Sequence, residues 1–145
     1  MVSPDKMTWV QRFRDYVDAP LLQLPLPRIN PNIITALSVV LSIVFTFLLT
    51  KPLLALVTLL LVLLLDLLDG LIAHKYHLES EEGYMIDATA DRLSEGIMFI
   101  PYFIPWFFLF VVNCFLTLWS FKTKRHIVLP LRIAFLVYLA IEILM

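Results

Sequence analysis

Four aspartates stand in a part of the chain where acidic side chains are costly. Asp66 and Asp69 lie near the end of the apolar run 53–68, and Asp87 and Asp91 open the next hydrophobic segment. A charged side chain in the middle of a membrane costs roughly 3 kcal/mol on insertion scales, and less near the interface. Four such carboxylates indicate a functional site, because their negative charge must be offset by another charge.

The spacing of the four aspartates predicts where their side chains point. Residues three or four apart share one face of a helix, so Asp66 pairs with Asp69, and Asp87 with Asp91. The polar segment 74–82 returns the chain directly, so the two helices are antiparallel neighbours and the pairs converge. Because the sequence shows no other partner for these carboxylates, oxygen-preferring Mg²⁺ or Mn²⁺ fits the site, and the lack of softer ligands disfavours zinc.

Small residues accompany the acids. Gly70 directly follows Asp69, Ala73 is three residues further on, and Gly83 lies four residues before Asp87. Small side chains on a membrane helix either leave room for a ligand or allow a neighbouring helix to approach closely. The sequence leaves both interpretations open.

The composition is that of a membrane protein. The chain has 145 residues, of which 61% are hydrophobic and 16% charged, and its mean hydropathy is +0.89. A net charge of −1 provides no basic surface for nucleic acid. The one cysteine, Cys114, cannot form an intrachain disulfide and is typical of a packing residue. Residues 1–31 lack the apolar core of a cleavable signal peptide.

Hydropathy predicts an all-α, polytopic transmembrane helical bundle that forms one domain. A spanning helix needs about 20 mostly apolar residues. Pro101 and Pro105 divide the long apolar stretch 83–120 into two helices. The predicted spans are 33–50, 52–73, 84–101, 105–121 and 127–144. Before them, segment 6–19 has an apolar stripe flanked by arginines, which predicts an interfacial amphipathic helix; a cytoplasmic helix that docks on the bundle is the alternative.

The basic residues predict the orientation of the bundle. Cytoplasmic loops are enriched in Lys and Arg. With the N-terminus in the cytoplasm, Lys51 is alone on the far side, and the cytoplasmic segments contain Lys6, Arg12, Arg14, Arg28, Lys75, Lys122, Lys124 and Arg125. We therefore expect an integral cell membrane protein whose four aspartates face the cytoplasm.

The acidic stretch resembles a family signature. It reads Asp66-Leu-Leu-Asp69-Gly70-Leu-Ile-Ala73-His74, then eight residues, then Gly83-Tyr-Met-Ile-Asp87-Ala-Thr-Ala-Asp91. This is similar to D-x-x-D-G-x-x-A-R-x(8)-G-x-x-x-D-x-x-x-D, the signature of the CDP-alcohol phosphotransferases, at seven of its eight named positions. The segment 31–35 also resembles, more weakly, the family's segment ahead of the first span.

The resemblance implies an enzyme of phospholipid biosynthesis. It would transfer a substituted phosphate (phosphatidyl-type) group from a CDP-alcohol, expected to be a CDP-linked lipid, to an alcohol acceptor, with release of CMP. The family's metal sites imply two Mg²⁺ or Mn²⁺ ions held by Asp66, Asp69, Asp87 and Asp91, with Asp91 also the base that deprotonates the acceptor. The implied nucleotide-binding residues are Asn32, Thr35, Asp66, Gly70, Ala73, His74 and Gly83. The surroundings are membrane lipid, and a homodimer is compatible with the resemblance.

Two departures from the family stand out. The signature arginine is His74 here, which removes a permanent positive charge beside the diphosphate. Lys75 and His77 are the candidate substitutes, and a non-catalytic relative that keeps the motif is the alternative. The family commonly has six spans, whereas five are predicted here.

Further polar residues suggest an acceptor pocket. Lys122, Arg125 and Arg132 either orient the protein in the membrane or bind a phosphorylated acceptor. Arg132 is the strongest candidate, because an unpaired arginine inside a span is costly. Glu95, one turn beyond Asp91, either closes this pocket or pairs with Arg92 or Arg132.

A metal-ion transporter or channel is the rival function from another class. Such a protein would place its acids near the bilayer midplane along a continuous path. Here the acids cluster at one side of the membrane, which favours the enzyme.

Overall fold

The computed structural model describes residues 25–123 and 128–145, apart from the side chain of Phe103. Within these ranges the chain is helical and contains no strand. The helices are α1 (Pro31–Phe47), α2 (Pro52–Lys75), α3 (Glu81–Phe99), α4 (Phe108–Thr123) and α5 (Leu131–Leu144). Two short segments, Ile100–Tyr102 and Phe103–Phe107, join α3 to α4. The predicted interfacial helix 6–19 and Arg125 lie outside the described residues.

Local sequence signals explain where the first three helices begin. Pro31 and Pro52 stand in the first turns of α1 and α2, where a missing N–H leaves no bond unmade. The side chain of Asn30 accepts a hydrogen bond from the backbone N–H of Asn32 at 3.0 Å. Ser80 caps α3, because its Oγ accepts from the N–H of Gly83 at 2.9 Å. The start of α1, the end of α2 and the start of α3 lie at one end of the bundle, where residues of all three line one cavity.

The long apolar stretch is interrupted near the prolines that predict a break. Regular helix ends at Phe99, and α4 begins at Phe108. Between them Ile104 has an extended backbone conformation, with φ −129° and ψ 130°. Proline cannot continue the hydrogen-bond ladder of a helix, so Pro101 and Pro105 favour this interruption.

The all-helical prediction is confirmed for the described residues, and two of their helices could cross a membrane. Pro52–Lys75 and Ile104–Thr123 are long and apolar enough by length and composition. Pro31–Phe47 is apolar but shorter. Glu81–Phe99 carries the second pair of aspartates and other charged residues, which lowers its hydropathy. The count of five spans therefore stays a prediction.

An aromatic cluster packs the bundle around Phe135 of α5. The ring of Phe135 lies 4.9 Å from those of Phe99 and Trp106 and 6.0 Å from that of Phe45, in each case edge to face. Phe45, Phe99 and Phe135 are fully buried. Edge-to-face pairs contribute stability beyond that of burying the rings, and they favour one relative orientation of the two rings. The cluster orients α5, and Arg132 lies in the same helix, one turn before Phe135.

Candidate active site

A cavity of about 710 Å³ opens where α1 and α3 begin and α2 ends. This volume is within the range of small-molecule and cofactor sites. Seven residues singled out from the sequence line it, and they come from three helices: Asn32, Thr35, Asp69, Gly70, Ala73, Gly83 and Asp87. The cavity thus brings five of the eight signature positions, two of them aspartates, together with the start of α1.

Asp69 is held by a hydroxyl from the first helix. Thr35 Oγ1 donates a hydrogen bond to Asp69 Oδ2 at 2.7 Å, and both residues are buried. The pairing joins positions 34 residues apart, so no local pattern predicts it. The family resemblance assigned Thr35 to the nucleotide, which stays a prediction, and the structure shows its hydroxyl donating to an acid.

The acids of α2 and α3 are close enough to repel one another. Asp87 interacts electrostatically with Asp69 across the two helices and with Asp91 on its own helix. Acids spaced three or four residues apart on each of two antiparallel neighbouring helices are expected to approach one another in this way. The negative charge is therefore concentrated at one end of the bundle.

Arg132 offsets part of this charge. Its guanidinium bridges one aspartate of each helix: Nη1 donates to Asp66 Oδ2, and Nη2 donates to Asp91 Oδ1 at 2.6 Å. Arg132 is 5% exposed, so the carboxylates supply the partners that a buried arginine requires. The expectation that the four carboxylates have no partner in the chain is wrong for Asp66 and Asp91. An arginine inside an apolar segment was the sequence signal for such a pairing.

The carboxylates fit a hard divalent ion by their chemistry. In the described ranges no three His, Cys, Asp or Glu side chains are arranged to hold a metal ion, and the Arg132 guanidinium lies between Asp66 and Asp91. The donor set nevertheless consists of carboxylate oxygens, which Mg²⁺ and Mn²⁺ prefer. Asp66 Oδ1 is buried and has no hydrogen-bond partner in the described part of the chain. Such an orphaned acceptor is compatible with a cation ligand.

Gly70 and Gly83 have different surroundings. A methyl group built on Gly70 would meet nothing within 4 Å, so its missing side chain leaves open space in the cavity. On Gly83 it would lie 3.0 Å from Ser80 Oγ, the hydroxyl that caps α3. Of the two interpretations left open by the sequence, room for a ligand fits Gly70, whereas Gly83 accommodates the helix cap.

Glu95 takes part in an ion pair. Arg92 Nη1 lies 2.7 Å from Glu95 Oε2, and Asn113 Nδ2 donates to the same oxygen at 3.1 Å. Glu95 is 2% exposed. Of the two alternatives drawn from the sequence, the geometry favours pairing, with Arg92 and not with Arg132.

Asn113 of α4 holds the segment that leads into α5. Its Nδ2 donates to the carbonyl of Leu129 at 3.1 Å, and its Oδ1 accepts from the N–H of Leu129 at 2.8 Å. Because Leu129 lies three residues before Arg132, this clamp helps to position the arginine. An asparagine in an apolar helix is typical of interhelical hydrogen bonding, but its backbone partner cannot be inferred from the sequence.

The remaining predicted residues lie away from the acids or outside the described ranges. His74 Nδ1 lies 3.0 Å from Glu79 Oε1, and His74 is not part of the cavity wall. Lys122 is exposed near the end of α4. Of the three candidate acceptor residues that the structure describes, Lys122, Arg132 and Glu95, Arg132 alone forms ion pairs with the aspartates.

The described helices, two of them long and apolar enough to cross a membrane, carry an anionic site at one end of their bundle. A family model described as CDP-alcohol phosphatidyltransferase matches residues 28–144, and the chain belongs to this family. Members of the family generally depend on divalent metal ions. Neither a curated protein nor a solved structure matches the chain significantly.

Proposed function

We propose that this chain transfers a phosphatidyl-type group from a CDP-linked lipid to an alcohol acceptor and releases CMP, as a step of phospholipid biosynthesis. Family membership supports transfer from a CDP-alcohol. The observation that carries the proposal is the cavity between α1, α2 and α3, because its wall combines two of the motif's four acids, Asp69 and Asp87, with its small residues. Such a wall suits a nucleotide diphosphate whose charge is offset by cations.

The donor nucleotide would lie in this cavity. The small residues Gly70 and Ala73 of α2 leave space on their side of the cavity, and the open space at Gly70 would admit the ligand. Asn32, Thr35 and Gly83 complete the wall from the neighbouring helices. The lipid part of the donor would extend into the bilayer, along the apolar outer surfaces of the helices.

The aspartates would divide the chemistry between them. Two divalent ions held by Asp66, Asp69, Asp87 and Asp91 would offset the charge of the diphosphate and stabilise the departing CMP. The Asp91 carboxylate would accept the proton of the acceptor hydroxyl, whose oxygen attacks the lipid-bearing phosphorus. A new P–O bond forms there as the bond to the CMP oxygen breaks. Thr35 keeps Asp69 oriented, and Arg132 orients Asp91 in the absence of substrate.

A membrane topology goes with this function. The proposal has one domain of five spans, with the N-terminus and the acids in the cytoplasm, and the distribution of Lys and Arg supports it. The acids lie together at one end of α2 and α3, which favours the enzyme over the transporter or channel. A homodimer stays a prediction.

A CMP-release assay tests the function directly. The purified chain in lipid micelles is given CDP-diacylglycerol and a panel of polyol, amino-alcohol and phosphorylated acceptors, with Mg²⁺, Mn²⁺ or chelator. We expect CMP only when an acceptor and a divalent ion are both present. Full turnover in excess chelator, after removal of bound metal, would rule out the role given to the ions. No CMP with any acceptor would rule out the transferase.

A further inference from the structure

The cavity needs a positive charge that the signature no longer supplies. Its described wall contains the acids Asp69, Glu79, Glu82 and Asp87, and Arg28 is the basic side chain among those residues. A diphosphate that enters this space meets carboxylates on several sides. Metal ions would offset the charge of Asp69 and Asp87. Phosphate oxygens at the rim would still require a hydrogen-bond donor from the chain.

His74 does not meet this requirement in the structure. It occupies the position of the signature arginine, but its Nδ1 lies 3.0 Å from Glu79 Oε1 and the residue is not part of the cavity wall. The pair is largely exposed, with 44% of the His74 side chain and 60% of the Glu79 side chain accessible. The histidine is therefore turned toward the loop.

Arg28 is held at the rim by the end of α2. Its guanidinium carbon lies 5.9 Å from the centre of the Tyr76 ring, within the range of a cation–π contact. The Tyr76 hydroxyl donates to the carbonyl of Leu26 at 2.5 Å, which fixes the same short segment. A cation–π contact uses none of the guanidinium N–H groups as hydrogen-bond donors to a polar atom, so they stay able to bind phosphate.

We propose that Arg28, held against Tyr76, binds the diphosphate of the donor and supplies the cation that the family signature places at position 74. This proposal rests on the proposed function, since it assigns a residue to the donor of that reaction. Arg28 comes from the segment before α1, and the signature arginine would come from α2. The charge is therefore retained at the cavity while the element that supplies it has changed.

A lipid headgroup would offer Arg28 the same phosphate chemistry, so the test separates the two sources. The full-length chain is purified in alkyl maltoside micelles free of phospholipid, and the dissociation constants of CDP, CMP and cytidine are measured at a fixed Mg²⁺ concentration. Arg28→Gln removes the charge, and Arg28→Lys keeps it without the bidentate geometry. Lys51→Gln, at the opposite end of α1, is the matched control for loss of one exposed positive charge.

We expect Arg28→Gln to weaken CDP binding about tenfold, because a hydrogen bond to a charged group is lost. CMP should lose less, and cytidine should bind as in the wild type. Arg28→Lys should lose less than Arg28→Gln, Tyr76→Phe should show the same pattern at smaller size, and Lys51→Gln should change none of the three constants.

Three results would overturn the assignment. One is an unchanged CDP affinity in Arg28→Gln, and another is an equal loss for CDP and cytidine, which would indicate general damage to the cavity. The third is an effect that appears only when anionic phospholipid is added and is read from thermal stability, which would assign Arg28 to a headgroup. A wild-type chain that binds none of the nucleotides would instead contradict the proposed function, and the inference with it.

Discussion

The four aspartates of the motif lie in two different surroundings. Asp69 and Asp87 line the open cavity, and the hydroxyl of Thr35 donates to Asp69. Asp66 and Asp91 are bridged by the guanidinium of one arginine and are not part of the cavity wall. The four aspartates thus form two pairs. We call Asp69 and Asp87, which face the cavity, the open half of the motif, and Asp66 and Asp91, which share the guanidinium of Arg132, the closed half.

The closed half shows how the chain tolerates these acids when no ligand offsets them. An arginine between two carboxylates gives each of three charged groups a partner of opposite charge, whereas any one of them alone would be costly to bury. The open half has a neutral hydrogen-bond donor, which orients a carboxylate without offsetting its charge. The two halves therefore hold their carboxylates in different ways, and we expect them to respond differently to substitution.

The largest difference is expected in turnover. Asp91→Asn preserves the size of the side chain but removes the base, so we expect turnover to fall by about 10²–10⁴-fold. CDP-lipid should still bind, because Asp91 is not part of the cavity wall. Asp69→Asn should mainly weaken the binding of Mg²⁺ or Mn²⁺. Single-turnover rates and dissociation constants measured on both variants check this contrast, and near wild-type turnover in Asp91→Asn would exclude it as the base.

The second difference concerns stability without metal. Arg132→Met leaves Asp66 and Asp91 without their common partner, and breaking such a buried pair typically costs about 3–5 kcal/mol. Exposure of the two carboxylates, at 21% and 32%, places the expected loss at the lower end, roughly 3 kcal/mol.

Thermal denaturation with chelator and with Mn²⁺ checks this prediction. Added Mn²⁺ should raise the midpoint more in Arg132→Met than in the wild type, because the unpaired carboxylates gain a cation. Lys51→Met is the control for a positive side chain outside the site. A variant as stable as the wild type in chelator would show that the Arg132 bridge contributes nothing to the fold.

The two halves also differ in how much of them can be inferred from the sequence. The convergence of Asp69 with Asp87 follows from helical spacing and a short connecting loop, both local features. The bridge from Arg132 to Asp66 spans 66 positions, and the sequence offers several acids as partners. Tertiary packing of α5 selects among them, and the clamp by Asn113 on the backbone of Leu129 contributes to that choice. Contacts of this kind leave no periodic signal.

The third prediction compares two glycines. Gly70→Ala adds a methyl group to open cavity space, so we expect CDP to bind about ten- to a hundredfold more weakly as the ligand loses its room. Stability should be equal or slightly higher, because alanine is the better helix former. Gly96→Ala is the matched variant, since its methyl group would lie 3.0 Å from the ring of Phe110. It should lower the melting temperature and leave the CDP affinity intact. Equal behaviour of the two variants would contradict a ligand role for Gly70.

The smallest expected effect tests the hydroxyl on the open side. Thr35→Val keeps the shape of the side chain but removes the hydrogen bond to Asp69, leaving a buried carboxylate oxygen with one partner fewer. A carboxylate that has lost its orienting donor binds a cation less well, and we expect the affinity for Mn²⁺ to fall about tenfold. Thr58→Val is the matched control, because Thr58 is also buried but its hydroxyl donates to the carbonyl of Leu54 in its own helix. Titration of Mn²⁺ in the absence of nucleotide separates this effect from any contact of Thr35 with the donor. A loss of Mn²⁺ affinity in Thr35→Val but not in Thr58→Val would assign the Thr35 hydroxyl to the orientation of Asp69. Wild-type Mn²⁺ affinity in Thr35→Val would contradict this role and leave Thr35 as a residue of the cavity wall.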